Sequence, residues 1–504
     1  MRIPDRLASL LAKDQATNAA VLTAISRFEP WLKQNRLEFF PEYTDHGIEH
    51  FEGVLVAASS LISDGAWDVL RPSDAAALVI SIVLHDAGMH ISADGFKHLI
   101  GTSDPWQTVN ASYDRPWNVL WEEFVGEASR FDGRTLTKLF GTASPIHRPH
   151  DDSCEWKDRD RLLIGEFLRR HHARLAHDIA VFGVPGVDDD KRVNLGAMEP
   201  EDLDLFGLIA RSHGMPLRKA VDWHEQKATK AFRDYRGVFV PYVMAILRIA
   251  DYLQVGAERA PSQILQIRKL RSPISVREWK INQAIESITN ASEDPEAIFV
   301  TARPRDVTAF LRLQDLFRDL QRELDESWAV LGEAYGLHTQ RRLNHLGIVL
   351  RRIRSTLDDL ATFEHTIDYV PQRASFSAAD GELLKLLVKP LYGDDWTIGI
   401  RELMQNAIDA VRERSASEGR TSDGDTKDAP QVQLEVVKDK DATWFVCRDQ
   451  GIGMTFEVIS GYFLRASPPL EGATLGVRNM NHMTGTQLSC GLGASELAHW
   501  RHFY

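Results

Sequence analysis

The run Ala75-Ala76-Ala77-Leu78-Val79-Ile80-Ser81-Ile82-Val83-Leu84 carries no charge and ends abruptly in His85-Asp86. A segment that is apolar on every side reads as a helix through the middle of a core. It is far too short to cross a bilayer, which takes about 20 apolar residues. Pro72-Ser73-Asp74 in front of it is a helix start, with Ser73 the expected N-cap. The histidine and aspartate are thereby delivered to the edge of a buried layer, where both need partners, water or a metal.

Four further stretches bring residues of the same kind. In Tyr43-Thr44-Asp45-His46-Gly47-Ile48-Glu49-His50-Phe51, a helix beginning near Asp45 puts His46 and His50 on one face. Glu166-Phe167-Leu168-Arg169-Arg170-His171-His172 sets two histidines within a helical pattern, and Leu208 to Gly214 ends a helix in His213 with Gly214 as the stop. Val243 to Leu253 is nearly all apolar, interrupted by Arg248 and Asp251. Taken singly, each histidine is as well explained by packing, and Asp251 by pairing with Arg248.

Taken in order, His, His-Asp, His, His, Asp on successive helices resembles the HD-domain metal-dependent phosphohydrolase superfamily over roughly residues 40–260. The most specific pieces are His85-Asp86 with its apolar lead and Leu247-Arg248-Ile249-Ala250-Asp251. The resemblance implies an all-α HD domain over residues 1–270, with His50, His85, Asp86 and Asp251 as metal ligands and Asp86 also catalytic. His172 and His213 match the extra histidines of members that bind two metals; His171 is a near-equal candidate for the first of these, and His46 can substitute for or assist His50. Such a donor set suits one or two ions of manganese, iron, zinc or nickel, and the reaction implied is hydrolysis of a nucleotide or other phosphoester. The loops at 141–156 and 183–199 are expected to lie over that site and select the substrate.

Residues 271–368 read as a connector. Ile274 to Trp279 and Ala297 to Val300 have strand character, which predicts a small sheet. Val307–Tyr335 and Gln340–Ile367 carry leucines at helical spacing, which predicts a hairpin of two long helices and leaves room for a homodimer through them.

Residues 369–504 hold a second set of polar residues. In the helix predicted for Arg401-Glu402-Leu403-Met404-Gln405-Asn406-Ala407-Ile408-Asp409-Ala410, Glu402, Asn406 and Asp409 share a face beside the apolar Leu403, Ala407 and Ala410. An acid, a carboxamide and a second acid in line can hold a hydrated magnesium ion and orient a water. Cys447-Arg448-Asp449-Gln450-Gly451-Ile452-Gly453-Met454 follows an antiparallel strand pair predicted over 431–448. Together the two stretches resemble the first nucleotide-binding boxes of the gyrase, heat-shock chaperone, histidine kinase and MutL ATPases. The resemblance implies ATP with magnesium in a Bergerat-type α/β sandwich. Glu402 would activate water, Asn406 hold magnesium, Asp409 lie near the base, Asp449 accept the adenine amine, and Gly451, Gly453 and Met454 wall the pocket. Gly381–Tyr392 and the stretch from Gly461 are expected to be helical, and Gly491-Leu492-Gly493-Ala494-Ser495 matches the second glycine box only loosely. The sandwich is therefore expected to be incomplete or divergent after about Ser467.

The fold class expected is thus multidomain, mainly α with α+β. A net charge of −13 argues against a general nucleic-acid surface, and three scattered cysteines make neither a disulfide framework nor a zinc knuckle. With no signal-like N-terminus and no spanning segment, a cytoplasmic, membrane-free protein is expected. The rival is a chaperone-like scaffold in which the HD fold only binds. A sensor histidine kinase is disfavoured, because His345, the one nearby phosphoacceptor candidate, lacks the acidic follower.

Overall fold

The computed structural model describes residues 1–360 except 35–36, 41–46, 103–104, 108–113, 187–191, 229–230, 232, 256–272, 292 and 338–339, and beyond them 363, 367–369, 377–378, 397–417, 431–438, 443–454 and 465–466. The chain divides into two compact units, Met1–Pro371 and Gln372–Tyr504. His46, the Gly381–Tyr392 segment and the loose glycine box lie outside the described residues, as does the stretch from Gly461 apart from Arg465–Ala466, which is a short strand.

The first unit begins with helices α1 (Asp5–Leu11), α2 (Gln15–Gln34), α3 (Ile48–Leu61) and α4 (Asp64–Trp67), followed by α5 (Pro72–Leu84). After α6 (Ala93–Ile100), α7 (Trp117–Ala128) and α8 (Gly133–Phe140) comes the long α9 (Asp158–Phe182). Then α10 (Pro200–Arg211), α11 (Leu217–Ala228) and α12 (Val240–Tyr252) complete the bundle. As its composition requires, α5 is buried from Asp74 to Leu84, enclosed by α1, α2, α3, α9, α10 and α12.

The start of α5 differs from expectation. Pro72 takes the first helical position, where a missing N–H costs nothing. The capping acceptor is Asp74, which takes the Arg71 N–H at 2.9 Å and the Phe239 N–H at 2.6 Å. Ser73 instead donates its hydroxyl to the Gly237 carbonyl.

The sheet of this unit has the order β1 (Ile285–Ala291), β2 (Asp294–Ala302), β3 (Arg352–Ser355). β1 and β2 are antiparallel; β2 and β3 are parallel, with Ile298 opposite Ile353. Ala297 to Val300 therefore is a strand, but Ile274 to Trp279 is not: it lies in α13 (Pro273–Ala284). Ser275, Trp279 and Asn282 are buried in this helix. Their helical spacing overrides the short period-two pattern.

Val307–Leu331 forms α14 as expected, and its Leu313, Leu320 and Leu324 are buried within the unit. The second long helix does not form. Arg341–His345 is one turn of 3-10 helix, and the chain then runs extended into β3. Side chains of α14 take over its backbone hydrogen bonds. Trp328 Nε1 donates to the Leu350 carbonyl at 3.0 Å, and Gln321 accepts the Ile353 N–H at 3.0 Å. Leu343, Leu346, Leu350 and Leu357 are still buried, so their spacing reflects a core position that a turn and a strand serve as well as a helix.

The second unit contains α15 (Thr397–Ser417) and the antiparallel pair β5 (Val432–Lys438) and β6 (Thr443–Asp449), besides the two-residue strands β4 (Ser377–Ala378) and β7 (Arg465–Ala466), which pair in parallel. The β5–β6 register runs without a break from Val432 opposite Asp449 to Lys438 opposite Thr443. α15 packs on this hairpin, burying Ala407. The described part of this unit is α+β. Among the described residues, no single helix is long and apolar enough to cross a membrane.

Candidate metal centre

Five elements of the first unit converge on one cluster. α3 places the buried His50 in its first turn, and α5 ends in His85 and Asp86. α9 carries His172 in its middle, a 3-10 turn (Ser212–Gly214) after α10 carries His213, and α12 ends with Asp251.

Asp86 stands between two sets of donors. Its Oδ2 is 3.4 Å from His50 Nε2 and 3.3 Å from His85 Nε2. Asp251 Oδ1 adds a fourth atom to that set, 3.6 Å from His50 Nε2 and 3.5 Å from His85 Nε2. The other Asp86 oxygen, Oδ1, is 3.6 Å from His172 Nε2 and 4.0 Å from His213 Nε2. One carboxylate thus faces two pockets.

The imidazoles are locked in orientation by backbone one turn earlier. The Nδ1 atoms of His85, His172 and His213 lie 2.7, 2.8 and 2.6 Å from the carbonyls of Ile82, Arg169 and Ala210. An Nδ1–H donated to a carbonyl leaves Nε2 as a lone pair, the form a metal ligand needs. Burial, then the neighbouring His172 and His85, push the His213 imidazole down to about 3, so it stays neutral. Burial also opposes a charge on His85, but Asp86 and Asp251 outweigh it and hold that imidazole well above its ordinary value, so a metal ion at its Nε2 would take the place of a proton.

The closest contact in the cluster calls for a cation. His172 and His213 bring their Nε2 atoms to 2.8 Å while both Nδ1 protons are engaged elsewhere. Two lone pairs that close repel unless a proton or a metal ion sits at that point. The donor set of imidazoles and carboxylates fits a divalent transition metal. The groups His50, His85, Asp86, Asp251 and Asp86, His172, His213 each have ligand atoms within 4.8 Å of one another.

Residues 40–326 match the HD-CE family model, which is more than half of the 504-residue chain. The chain belongs to the HD-CE family. No curated protein and no solved structure matches it. The HD-CE segment contains every residue of the cluster, and the N-terminal part of the chain is an HD-type domain with a His/Asp cluster able to hold a divalent metal.

The neighbouring His171 faces the other way in this HD-CE domain. Its ring packs 4.8 Å from Phe167 and 6.0 Å from Trp117, and burial lowers it to about 4. Arg248 does not pair with Asp251; it forms a two-pronged ion pair with Glu323 of α14, with Nη2 to Oε2 at 2.6 Å. Close approach at the doublet depends on Gly88, where a Cβ would lie 2.8 Å from the His172 carbonyl oxygen.

A buried ionic network that no sequence motif marks lies beside the cluster. Arg211 is held by both oxygens of Asp114, at 2.8 and 2.7 Å, and Arg174 lies 3.6 Å from Asp178. The only signal for it was an arginine in each of two otherwise well-patterned helices, two residues from His172 and His213.

In the second unit, Glu402, Asn406 and Asp409 are exposed on α15. Glu402 pairs with Arg401 at 3.1 Å, and Asp409 accepts from Gln405 at 3.1 Å. Asp449 Oδ1 accepts the Gly451 N–H at 2.9 Å, and Ile452 donates its N–H to the Ala410 carbonyl at 3.0 Å. The glycine loop is thus fastened to the helix, and Gly453 has φ 76°. Met454 follows within the described loop.

Proposed function

We propose that the first unit is a metal-dependent phosphohydrolase in which His50, His85, Asp86 and Asp251 would hold one divalent ion and Asp86, His172 and His213 a second. The observation that carries the reading is the division of the Asp86 carboxylate, one oxygen toward His50 and His85, the other toward His172 and His213. Asp251 completes the first pocket. Bound there, manganese, iron, zinc or nickel would supply Lewis acidity toward a phosphoryl oxygen and an acidified water. The chain's part is orientation. Carbonyls one turn before three of the histidines hold the imidazoles in the metal-ready tautomer, and Asp86 balances the charge of both pockets. The substrate class is a nucleotide or another phosphoester.

The second unit is read as an ATP-binding module with magnesium. Asn406 would hold the magnesium ion, Glu402 would orient water, and Asp409 would line the base end. Asp449 would offer its second oxygen to the adenine amine, with Gly451, Gly453 and Met454 as the wall. Support comes from the Gly451–Met454 loop, which the Ile452-to-Ala410 hydrogen bond ties to the helix bearing those side chains.

Elemental analysis of the purified protein, with phosphatase and nucleotidase screens of wild type and Asp86→Ala, tests the first reading. Bound transition metal and a turnover lost in Asp86→Ala are expected; no metal and identical screens would remove it. ATP binding measured on wild type and Asp449→Asn tests the second, and equal affinities would count against it.

A further inference from the structure

Arg248 is a buried cation on α12, one helical turn before Asp251, and its side-chain hydrogen bonds reach outside its own helix. Nε and Nη2 grip the two Glu323 oxygens, and Nη1 donates to the carbonyls of Ser212 and Met215. Those two carbonyls bracket His213. Glu323 is itself buried, on α14.

The turn that bears His213 is anchored to α10 on one side. Ser212 Oγ donates to the Ile209 carbonyl at 2.6 Å, and His213 Nδ1 lies 2.6 Å from the Ala210 carbonyl. On the other side it is Arg248 that fastens the turn to α12. The same helix delivers Asp251 to the first pocket. A rigid planar fork that uses four of its N–H groups at once fixes distance and direction together, which one ammonium cannot do. Buried ion pairs are poor sources of net stability, so geometry is the stronger reason for this one.

We propose that Arg248, held by Glu323, is a positioning residue that sets the His213 turn against the Asp251 helix and so brings the second ion pocket into register with the first. The inference rests on the two-ion reading above. It also makes α14 part of the metal centre's support, although α14 contributes no ligand.

The test is manganese(II) titration of the full chain, counting ions per chain and their separate affinities for wild type, Arg248→Lys and Glu323→Gln. Wild type is expected to take two ions. In Arg248→Lys the first ion should stay near wild-type affinity while the second weakens about 10- to 100-fold, the usual range for a residue behind a ligand. Arg248→Lys keeps a cation opposite Glu323 and Glu323→Gln keeps the side-chain shape, so either variant that folds serves the test, and Glu323→Gln should weaken the second ion selectively in the same way. Unchanged affinities for both ions, or an equal loss of both, would overturn the positioning role while leaving the metal centre standing. A wild type that binds no ion, or only one, would overturn the two-ion reading and the inference with it.

Discussion

His172 and His213, from separate helical segments, bring their Nε2 atoms to 2.8 Å while each Nδ1 is committed to a backbone carbonyl one turn earlier. His171, adjacent in sequence, packs on Phe167 and Trp117 instead. His172→Ala should therefore lose one of the two ions proposed above, and His171→Ala should keep both while losing about 1–3 kcal/mol of stability. Metal counts and urea unfolding of the two variants check this, and the reverse pattern would exchange the two assignments.

Gly88 lets the turn after the His-Asp doublet touch α9. A Cβ there would lie 2.8 Å from the His172 carbonyl oxygen and 3.1 Å from the Leu175 Cβ. Gly88→Ala should cost about 1–3 kcal/mol through overpacking and weaken the second ion by moving α9. Gly126, in α7, has open space at the same position and serves as the control. Thermal unfolding should show Gly126→Ala at or above wild-type stability and Gly88→Ala below it.

Asp74 gives the first unit a measurable pH dependence. Burial pushes its carboxyl up to about 6, against the partial compensation of the Phe239 N–H and Arg71, from an ordinary value of 3.8. The native state therefore takes up this proton first as pH falls. The penalty of holding the charge is fully present above pH 6 and relieved between pH 6 and about 4, a change of roughly 3 kcal/mol from this group. Urea midpoints at pH 7 and pH 4.5 should show Asp74→Asn with a smaller rise toward acid than wild type. Parallel pH curves would rule out Asp74 as the source.

Gly451 fits where no side chain can. A Cβ there would stand 2.5 Å from the Ala410 Cβ and 2.8 Å from Asp449 Oδ1. Gly451→Ala should push the loop off α15, with a local cost of about 1–3 kcal/mol, and abolish the ATP binding proposed for this unit. The metal content of the first unit should not change. Equilibrium dialysis with ATP and elemental analysis of the same sample give both readouts, and retained ATP affinity would refute the loop's role.

Much of the helical part was legible because burial leaves a local trace. An uncharged run ending in His85-Asp86 admits hardly any place but a central helix, and Asp251 closes an apolar helix in the same manner. The β5–β6 pair was legible from its alternation. The connector was not. The leucines of 340–357 and the residues 274–279 have spacings that two kinds of backbone satisfy. For the leucines, α14 settles the choice with its hydrogen bonds to Leu350 and Ile353 and β2 by pairing with β3, and for 274–279 the burial of Ser275, Trp279 and Asn282 settles it.

By itself the sequence determined which residue types could form a metal centre and that most of them stand at or near a helix end, because charge inside an apolar helix is costly and local. Only the tertiary structure decided that His172 rather than His171 faces the cluster, that Asp86 divides its oxygens between two donor sets, and that Arg248 answers to Glu323 rather than to Asp251. Those outcomes depend on rotations and close approaches between helices far apart in the chain, and no local spacing encodes them.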